Sequence, residues 1–248
     1  MEPTLIRKIE ELSMNALPAL QTVLYDGWIL RFANGYTRRA NSVNPLYPSH
    51  HNVAEKIVAC EGLFRARKQK VVFKLTPSPC PTNLDEILHS KGYVEEARTS
   101  VQLADLTHVP EPPSHAAQIV ESLTSEWFDD YCEMNQVEDR HRHTLEQMLP
   151  NITGKTAFTS LVRDGKVVAC GLGVFEGLYV GVYDIITAPS WRNQGIGRAL
   201  VLNILAWAKY NGARTAYLQV MTTNAPALRL YSKLGFKEAY QYWYRTQP

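Results

Sequence analysis

The sequence predicts an α/β (α+β) fold in which a mixed, mostly antiparallel central sheet is flanked by helices. Short runs of β-branched and aromatic residues alternate with helical patterns along the chain. The dipeptides Asn34-Gly35 and Asp164-Gly165 lie between extended segments, which is typical of antiparallel hairpins because both turn residues accept positive φ angles. The apolar run 178–187 is followed by a glycine-containing turn and a long helical pattern.

The composition is that of a soluble globular protein, with 45% hydrophobic and 20% charged residues among 248. This length allows two modest domains or one large domain. The formal net charge of +2 gives no reason to expect a nucleic acid or a membrane as a partner. The first residues lack a signal-peptide core, and no run approaches membrane-spanning length, so we expect a cytoplasmic protein. Its four cysteines have no short paired spacing and predict neither zinc nor disulfides: Cys60, Cys80, Cys132 and Cys170.

The first half predicts three helices and several strands. The helices are expected at 4–14, 52–67 and 83–89, and the strands at 28–33, 36–43, 70–75 and 98–103. The hairpin of this half is expected at Asn34-Gly35. Three prolines between Thr107 and Ser114 indicate a linker, which divides the chain into domains 1–106 and 115–248.

The second half predicts two helical stretches within 125–149 and then a regular succession of elements. Strands are expected at 155–163, 166–175, 178–187, 215–221 and 239–245, and helices at 197–211 and 225–233, the latter capped by Asn224. His141 and His143 are one residue apart, but no third ligand accompanies them at a useful spacing. We therefore predict no metal site.

The octet from Arg192 to Ala199 has the features of an anion-binding turn. Gly195 and Gly197 remove side chains where a backbone must approach a ligand closely, and the helix that follows begins with unpaired amides. The positive end of the helix dipole and the flanking Arg192 and Arg198 also favour a pyrophosphate. Alternatively, the glycines serve only the φ angles of the turn.

Two motifs in this order resemble the GCN5-related N-acetyltransferases. The first is Asp184–Leu200, which contains the pattern [Arg/Gln]-x-x-Gly-x-[Gly/Ala], and the second is Asn224–Phe236. The likeness covers roughly residues 115 to 248. It implies an acetyltransferase-like fold, acetyl-CoA as the co-substrate and no metal.

The resemblance also implies roles for individual residues. The backbone of Ile186 and Thr187 would pair with the pantetheine arm, and Asn224 would contact the cofactor. Tyr231 matches the tyrosine that protonates the departing CoA thiolate; its alternative role is packing on an amphipathic helix. The residues implied in pyrophosphate binding are Arg192, Asn193, Gln194, Gly195, Ile196, Gly197 and Arg198.

The general base varies within this family, so its identity stays open in the sequence. Asp184 is the first candidate because it lies on the central strand where the family often has an acidic residue. Its alternative role is that of a hydrogen-bonding strand residue. Glu176, in the turn before that strand, and Tyr183 are the other candidates.

The first half repeats part of the second. Residues 84–96 can be aligned with 227–239, so that Gly92-Tyr93 matches Gly235-Phe236. This predicts a tandem arrangement with a degenerate N-terminal copy. Leu88 replaces Tyr231, and segment 44–51 contains no glycine. We therefore expect the first half to support the sheet or wall the acceptor pocket without binding acetyl-CoA.

The leading hypothesis is an N-acetyltransferase, a monomer or homodimer, that acts on a primary amine of a small molecule or peptide. The amine would attack the thioester directly, because positioning alone lowers the barrier substantially. The alternative is a non-catalytic regulatory module that binds acetyl-CoA. A third hypothesis, acylation of an aminoacyl-tRNA, needs a strongly basic surface that the near-neutral charge does not support.

Overall fold

The computed structural model describes residues 2–112 and 117–247. These residues form seven α-helices: α1 Pro3–Ala16, α2 Val53–Ala66, α3 Leu84–Ser90, α4 Ser125–Met134, α5 Asp139–Met148, α6 Ile196–Tyr210 and α7 Ala225–Lys233. They also form eleven strands: β1 Gln21–Tyr25, β2 Trp28–Phe32, β3 Val43–Asn44, β4 Val72–Leu75, β5 Val94–Asp105, β6 Gln118–Val120, β7 Lys155–Arg163, β8 Lys166–Glu176, β9 Tyr179–Thr187, β10 Thr215–Met221 and β11 Lys237–Thr246.

The strand pairing is mixed and mostly antiparallel, as predicted. Parallel pairing joins β3 to β4 and β9 to β10, whereas antiparallel pairing joins β1 to β2, β2 to β3, β4 to β11, β6 to β7, β7 to β8 and β8 to β9. In the described part of the chain, no helix is both long enough and apolar enough to cross a membrane.

The chain divides into two compact units. The first comprises the described residues up to Ser100 together with those from Tyr240 onwards. Its strand order is β1-β2-β3-β4-β11-β5. Side chains from β2, β4, α2 and α3 form its hydrophobic core, including Trp28, Phe64 and Phe73, all of which are fully buried.

The second unit comprises Val101–Ala239, with the strand order β5-β10-β9-β8-β7-β6. Helix α6 packs closely on β8 because two positions of that strand are glycine. A Cβ atom at Gly171 would lie 3.1 Å from Ile204 Cδ1, and one at Gly173 would lie 2.6 Å from Ile204 Cγ2. Helix α4 covers the other face, where the Trp127 ring packs edge-on against Phe158 with centroids 4.9 Å apart.

The predicted hairpin at Asn34-Gly35 is wrong. The two-residue hairpin lies at Asp26-Gly27, with φ angles of 43° and 81°, and joins β2 to β1, a strand that was not among those predicted. Asn34 and Gly35 do have positive φ angles, but a 3₁₀-helix at Arg38–Ala40 follows them in place of the predicted strand. The Asn41 side chain stabilises the turn in this form, since its Oδ1 accepts hydrogen bonds from the amides of Ala33 at 2.7 Å and Gly35 at 2.9 Å.

The predictions for the second unit agree more closely with the structure. The turn at Asp164-Gly165, with φ angles of 50° and 72°, connects β7 to β8 as predicted. The bounds of β10 and α7 are those predicted. Strand β6 was not predicted. The predicted linker 107–114 includes Pro113 and Ser114, which lie outside the described residues, so the domain division at this linker stays a prediction.

Candidate active site

The two parallel strands β9 and β10 part before they end. Their register runs from Tyr179 opposite Thr215 to Val182 opposite Leu218, four residue pairs in the described chain. Strand β9 then continues five residues further, to Thr187. An extended ligand could pair with the backbone along this part of β9 in the manner of an added strand.

A β-bulge lies in the same part of β9. Ile186 pairs with Cys170 and Tyr183 pairs with Leu172, so that two residues of β9, Asp184 and Ile185, face the single residue Gly171. Asp184 has a φ angle of 53°. Positive φ is uncommon outside glycine, although Asp tolerates it better than most residues. Bulges frequently lie next to active sites, where they redirect side chains and backbone groups.

The N-terminus of α6, which we call the cradle, lies where the sequence predicts a pyrophosphate site. Asn193 and Gly195 both have positive φ angles, 61° and 78°, and Gly195 is the N-cap of α6. Because glycine has no side chain, it cannot cap the amides of the first turn, whereas Asn52, Thr124 and Asn224 cap α2, α4 and α7 in this way. The first amides of α6 and its positive dipole end are therefore available to an anion.

Two exposed arginines flank this cradle. Arg192 Nε donates a hydrogen bond to the Thr187 carbonyl at 3.2 Å, which places the guanidinium at the end of β9. Arg198 lies on the first turn of α6. Gln194 stabilises the turn that precedes α6, because its Nε2 donates a hydrogen bond to the Ser190 carbonyl at 3.0 Å. The amides, the dipole and the arginines suit a doubly charged pyrophosphate.

Three elements meet at Gly197. A Cβ atom at this position would lie 3.5 Å from Thr187 Oγ1 and 3.6 Å from Leu230 Cδ2, so the first turn of α6 is close to the end of β9 and to α7. Asn224 caps α7 as predicted, because its Oδ1 accepts from the Ala227 amide at 3.2 Å. A contact between Asn224 and the cofactor remains a prediction.

Tyr231 lies on α7 and is almost fully buried, with 8% of its surface exposed. Its ring packs edge-on against Phe236. Burial raises the pKa of Tyr231 to about 12. The phenol is therefore neutral near pH 7 and holds a proton that it can donate.

Two of the three candidates for the general base are neighbours on β9, and the third lies at the other end of that strand. Asp184 is half-buried on the bulge, and Tyr183 precedes it on β9. Glu176 lies at the opposite end of the strand, across the hairpin from Tyr179. Five residues separate Tyr179 from Asp184, about 17 Å of strand. Glu176 is thus not brought together with the other two candidates.

Two residues near this site were missed in the sequence. Tyr217 on β10 forms a hydrogen bond with Tyr183, and a single sequence does not reveal such a cross-strand pair. Asp130 lies on α4, where burial and the nearby Glu133, Asp129 and Glu126 raise the pKa of its carboxyl. The clustering of four acidic residues within ten on one helix was the available signal for Asp130.

The described residues contain no group of three or more His, Cys, Asp or Glu side chains that could hold a metal ion.

A cavity of about 1110 Å³ lies between α4, α5 and the start of β7, with Phe128, Glu146 and Thr156 among its lining residues. Thr156 pairs with Val174, near the Glu176 end of β8. This cavity therefore lies toward the opposite end of the strands from the α6 cradle.

Comparisons with known proteins show the family of this chain. The family described as "Probable histone acetyltransferase Rv0428c C-terminal" matches residues 4–245. The chain is 28% identical to the uncharacterized N-acetyltransferase YobR of Bacillus subtilis over 250 residues, which cover 98% of both chains.

Two solved structures show the same fold. A GCN5-related N-acetyltransferase from Kribbella flavida superposes with a TM-score of 0.72 at 16% identity, covering 98% of this chain and 95% of the other. A tandem GNAT protein from the clavulanic acid biosynthesis pathway has a TM-score of 0.65 at 14% identity, covering 96% and 87%. A degenerate N-terminal copy remains a prediction. The chain belongs to the Rv0428c C-terminal family matched above, and it is a GCN5-related N-acetyltransferase, an acetyl-CoA-dependent acyltransferase.

Proposed function

We propose that the protein transfers an acetyl group from acetyl-CoA to a primary amine of a small molecule or peptide, by direct attack of the amine on the thioester. The observation that supports this most strongly is the arrangement in the second unit of an uncapped helix N-terminus beside two parted parallel strands. The cradle suits the pyrophosphate, and the bulged part of β9 suits the extended arm that leads to the thioester.

The residues that would hold acetyl-CoA follow from this arrangement. The amides of Ile196, Gly197 and Arg198 and the Arg192 guanidinium would bind the pyrophosphate. The backbone of β9 from Thr187 back towards Asp184 would bind the pantetheine arm. The bulge would then lie beside the thioester, because it is about 10 Å along the strand from the cradle end.

The side chains of this site supply the two proton movements that acyl transfer needs. The amine nitrogen forms a bond to the thioester carbonyl carbon, and the bond from that carbon to sulfur breaks. Asp184 accepts the proton that the amine loses, directly or through water, and then releases it to solvent. Tyr231 donates its phenolic proton to the departing sulfur and is reprotonated from solvent. Its pKa of about 12 keeps this proton in place near pH 7.

The first unit lacks the equivalent cradle, so we propose that it does not bind acetyl-CoA. The helix that follows its short strand β3 is α2, and the Asn52 side chain already accepts from the amides of Ala54 at 2.9 Å and Glu55 at 3.4 Å. Leu88, at the position matched to Tyr231, is fully buried in an apolar core and cannot donate a proton. We propose that this unit has a supporting role.

An acceptor screen tests the proposal. Purified protein is incubated with acetyl-CoA and a panel of amines, amino acids, aminoglycosides and peptides, and released CoA thiol is measured. Calorimetry on the same protein measures acetyl-CoA binding. We expect binding and, with at least one amine, turnover that Tyr231→Phe lowers at least tenfold.

The matched control is Tyr210→Phe, since Tyr210 is 92% exposed at the end of α6 and should not affect turnover. Binding without turnover by any acceptor class would favour a regulatory module. Absence of binding would contradict the proposal outright.

A further inference from the structure

Two buried tyrosines join β9 and β10 at the point where these strands part. The hydroxyl oxygens of Tyr183 on β9 and Tyr217 on β10 are 2.9 Å apart and hydrogen-bonded. The rings are nearly perpendicular, with centroids 6.0 Å apart. Both residues are at most 5% exposed. Tyr217 is opposite Gly181 in the parallel register, and Tyr183 directly follows the last register pair, so the bond joins the strands at the point where they begin to separate.

Strand β9 has a glycine, Gly181, at the position that faces the two rings. A Cβ atom at position 181 would lie 2.4 Å from Tyr183 Cε2 and 2.7 Å from the hydroxyl oxygen of Tyr217. Such distances are shorter than any real contact, so a side chain at Gly181 would push at least one ring away. The glycine thus serves a close approach of the two rings, and its role is distinct from that of the turn glycines.

The pair lies next to the backbone feature on which acyl transfer would depend. Tyr183 directly precedes Asp184, the bulge residue with a φ angle of 53°. A residue in a sparsely populated backbone conformation persists only where the surrounding structure fixes it. A Tyr183 ring that is packed on Gly181 and hydrogen-bonded to Tyr217 fixes the backbone from which it projects. It thereby fixes one side of the bulge.

We propose that Tyr217 is a positioning residue for acyl transfer. Its hydroxyl holds Tyr183, and the fixed Tyr183 keeps the Asp184 carboxylate and the bulged backbone directed at the thioester and the amine. The inference rests on the proposed function of the same site. No proton passes through Tyr217, and this residue does not touch the substrate.

Single and double variants test the inference. Tyr217→Phe and Tyr183→Phe each remove the hydroxyl bond and keep a ring of nearly the same volume. We expect either variant to lower kcat about tenfold or more, because small displacements of reacting groups cost one to two orders of magnitude in rate. The KM for acetyl-CoA should stay within twofold, since the cradle is about 13 Å along β9 from Tyr183. The rate loss in the double variant should be smaller than the product of the two single losses, because both changes remove the same hydrogen bond.

Tyr179→Phe is the matched control, because Tyr179 lies on β9 at the other end of the parallel register. The rate measured is CoA release with the fastest amine of the panel, or with water where no amine exceeds it, well below the melting temperature of every variant. A wild-type kcat in Tyr217→Phe, or effects that multiply in the double variant, would overturn the inference. Failure of the proposed function gives a different result, since the wild-type protein would then not bind acetyl-CoA in calorimetry.

Discussion

Tyr231 links the proposed chemistry to a measurable pH dependence of stability. Burial raises its pKa from 10 to about 12. The folded protein therefore holds the phenolic proton more tightly than the unfolded chain does. The resulting stabilisation is complete below pH 10 and is lost as the pH rises towards 12, and it amounts to about 2 to 3 kcal/mol.

We therefore expect Tyr231→Phe to be more resistant to alkaline unfolding than the wild-type protein. Urea unfolding between pH 7 and 12 measures this, and the difference between the two proteins isolates Tyr231 from the other buried tyrosines. The gap should open only above pH 10. A constant difference across the whole range would show that Tyr231 does not titrate with a raised pKa.

Asp184→Asn should lower kcat by a factor of about 10² to 10⁴, the usual contribution of a general base. Asn keeps the size of the side chain and tolerates the positive φ angle at this position, so the bulge should remain. Asp164→Asn is the control, because Asp164 has a φ angle of 50° in a hairpin turn away from the site. Equal rates for Asp184→Asn and the control would exclude Asp184 as the base. Glu176→Gln, tested in parallel, should have a much smaller effect.

The start of α6 allows stability and binding to be separated. Gly197 lies inside the helix, and a Cβ atom there would make only ordinary contacts with Thr187 and Leu230. Gly197→Ala should therefore stabilise the free protein by up to about 1 kcal/mol. It should leave acetyl-CoA binding within about threefold of the wild-type value, because the pattern accepts alanine at this position and the new methyl group would lie against Thr187 and Leu230.

Gly195→Ala is the variant with which Gly197→Ala is compared. Its φ angle of 78° is unfavourable for alanine, so this variant should lose about 1 to 2 kcal/mol of stability. Thermal melting and calorimetry on both variants measure the two effects. A tenfold loss of binding in Gly197→Ala would contradict the assignment of Gly197 to the [Gly/Ala] position of the pyrophosphate pattern.

Elements set by local sequence could be predicted, and those set by register could not. Strand β10 and helix α7 have the predicted bounds, because Asn224 caps the helix and Gly235 follows its end. The first hairpin was misplaced because Asp26-Gly27 and Asn34-Gly35 both have positive φ angles, and the hydrogen bonds of the Asn41 side chain to the second turn lie outside the dipeptide pattern. The bulge at Asp184 and the bond between Tyr183 and Tyr217 depend on strand alignment, which one sequence does not contain.

The first unit is not a continuous piece of the chain. Strand β11, near the C-terminus, pairs with β4, for example Trp243 with Leu75. Arg245 forms an ion pair with Asp85 at 2.8 Å, and Trp243 Nε1 donates to the same carboxylate at 2.8 Å. The buried Glu10 carboxylate is paired with Lys74 and accepts from the Tyr240 hydroxyl at 2.8 Å. Residues near both ends of the chain thus meet in the hydrogen bonds of the Glu10 and Asp85 carboxylates.

A fragment of residues 1–106 should consequently fail to fold by itself. It would lack the strand that pairs with β4, and the Glu10 carboxylate would lose the Tyr240 hydroxyl. A hydrogen bond to a charged group contributes about 1.5 to 3 kcal/mol, so the loss of this bond together with the pairing of β4 and β11 removes a large part of the stability of a small domain. Circular dichroism and urea unfolding of the fragment and of the whole chain test this. The fragment should show no cooperative transition. A cooperative transition with native helix content would mean that β11 is dispensable, and would support the linker at 107–114 as a true domain boundary.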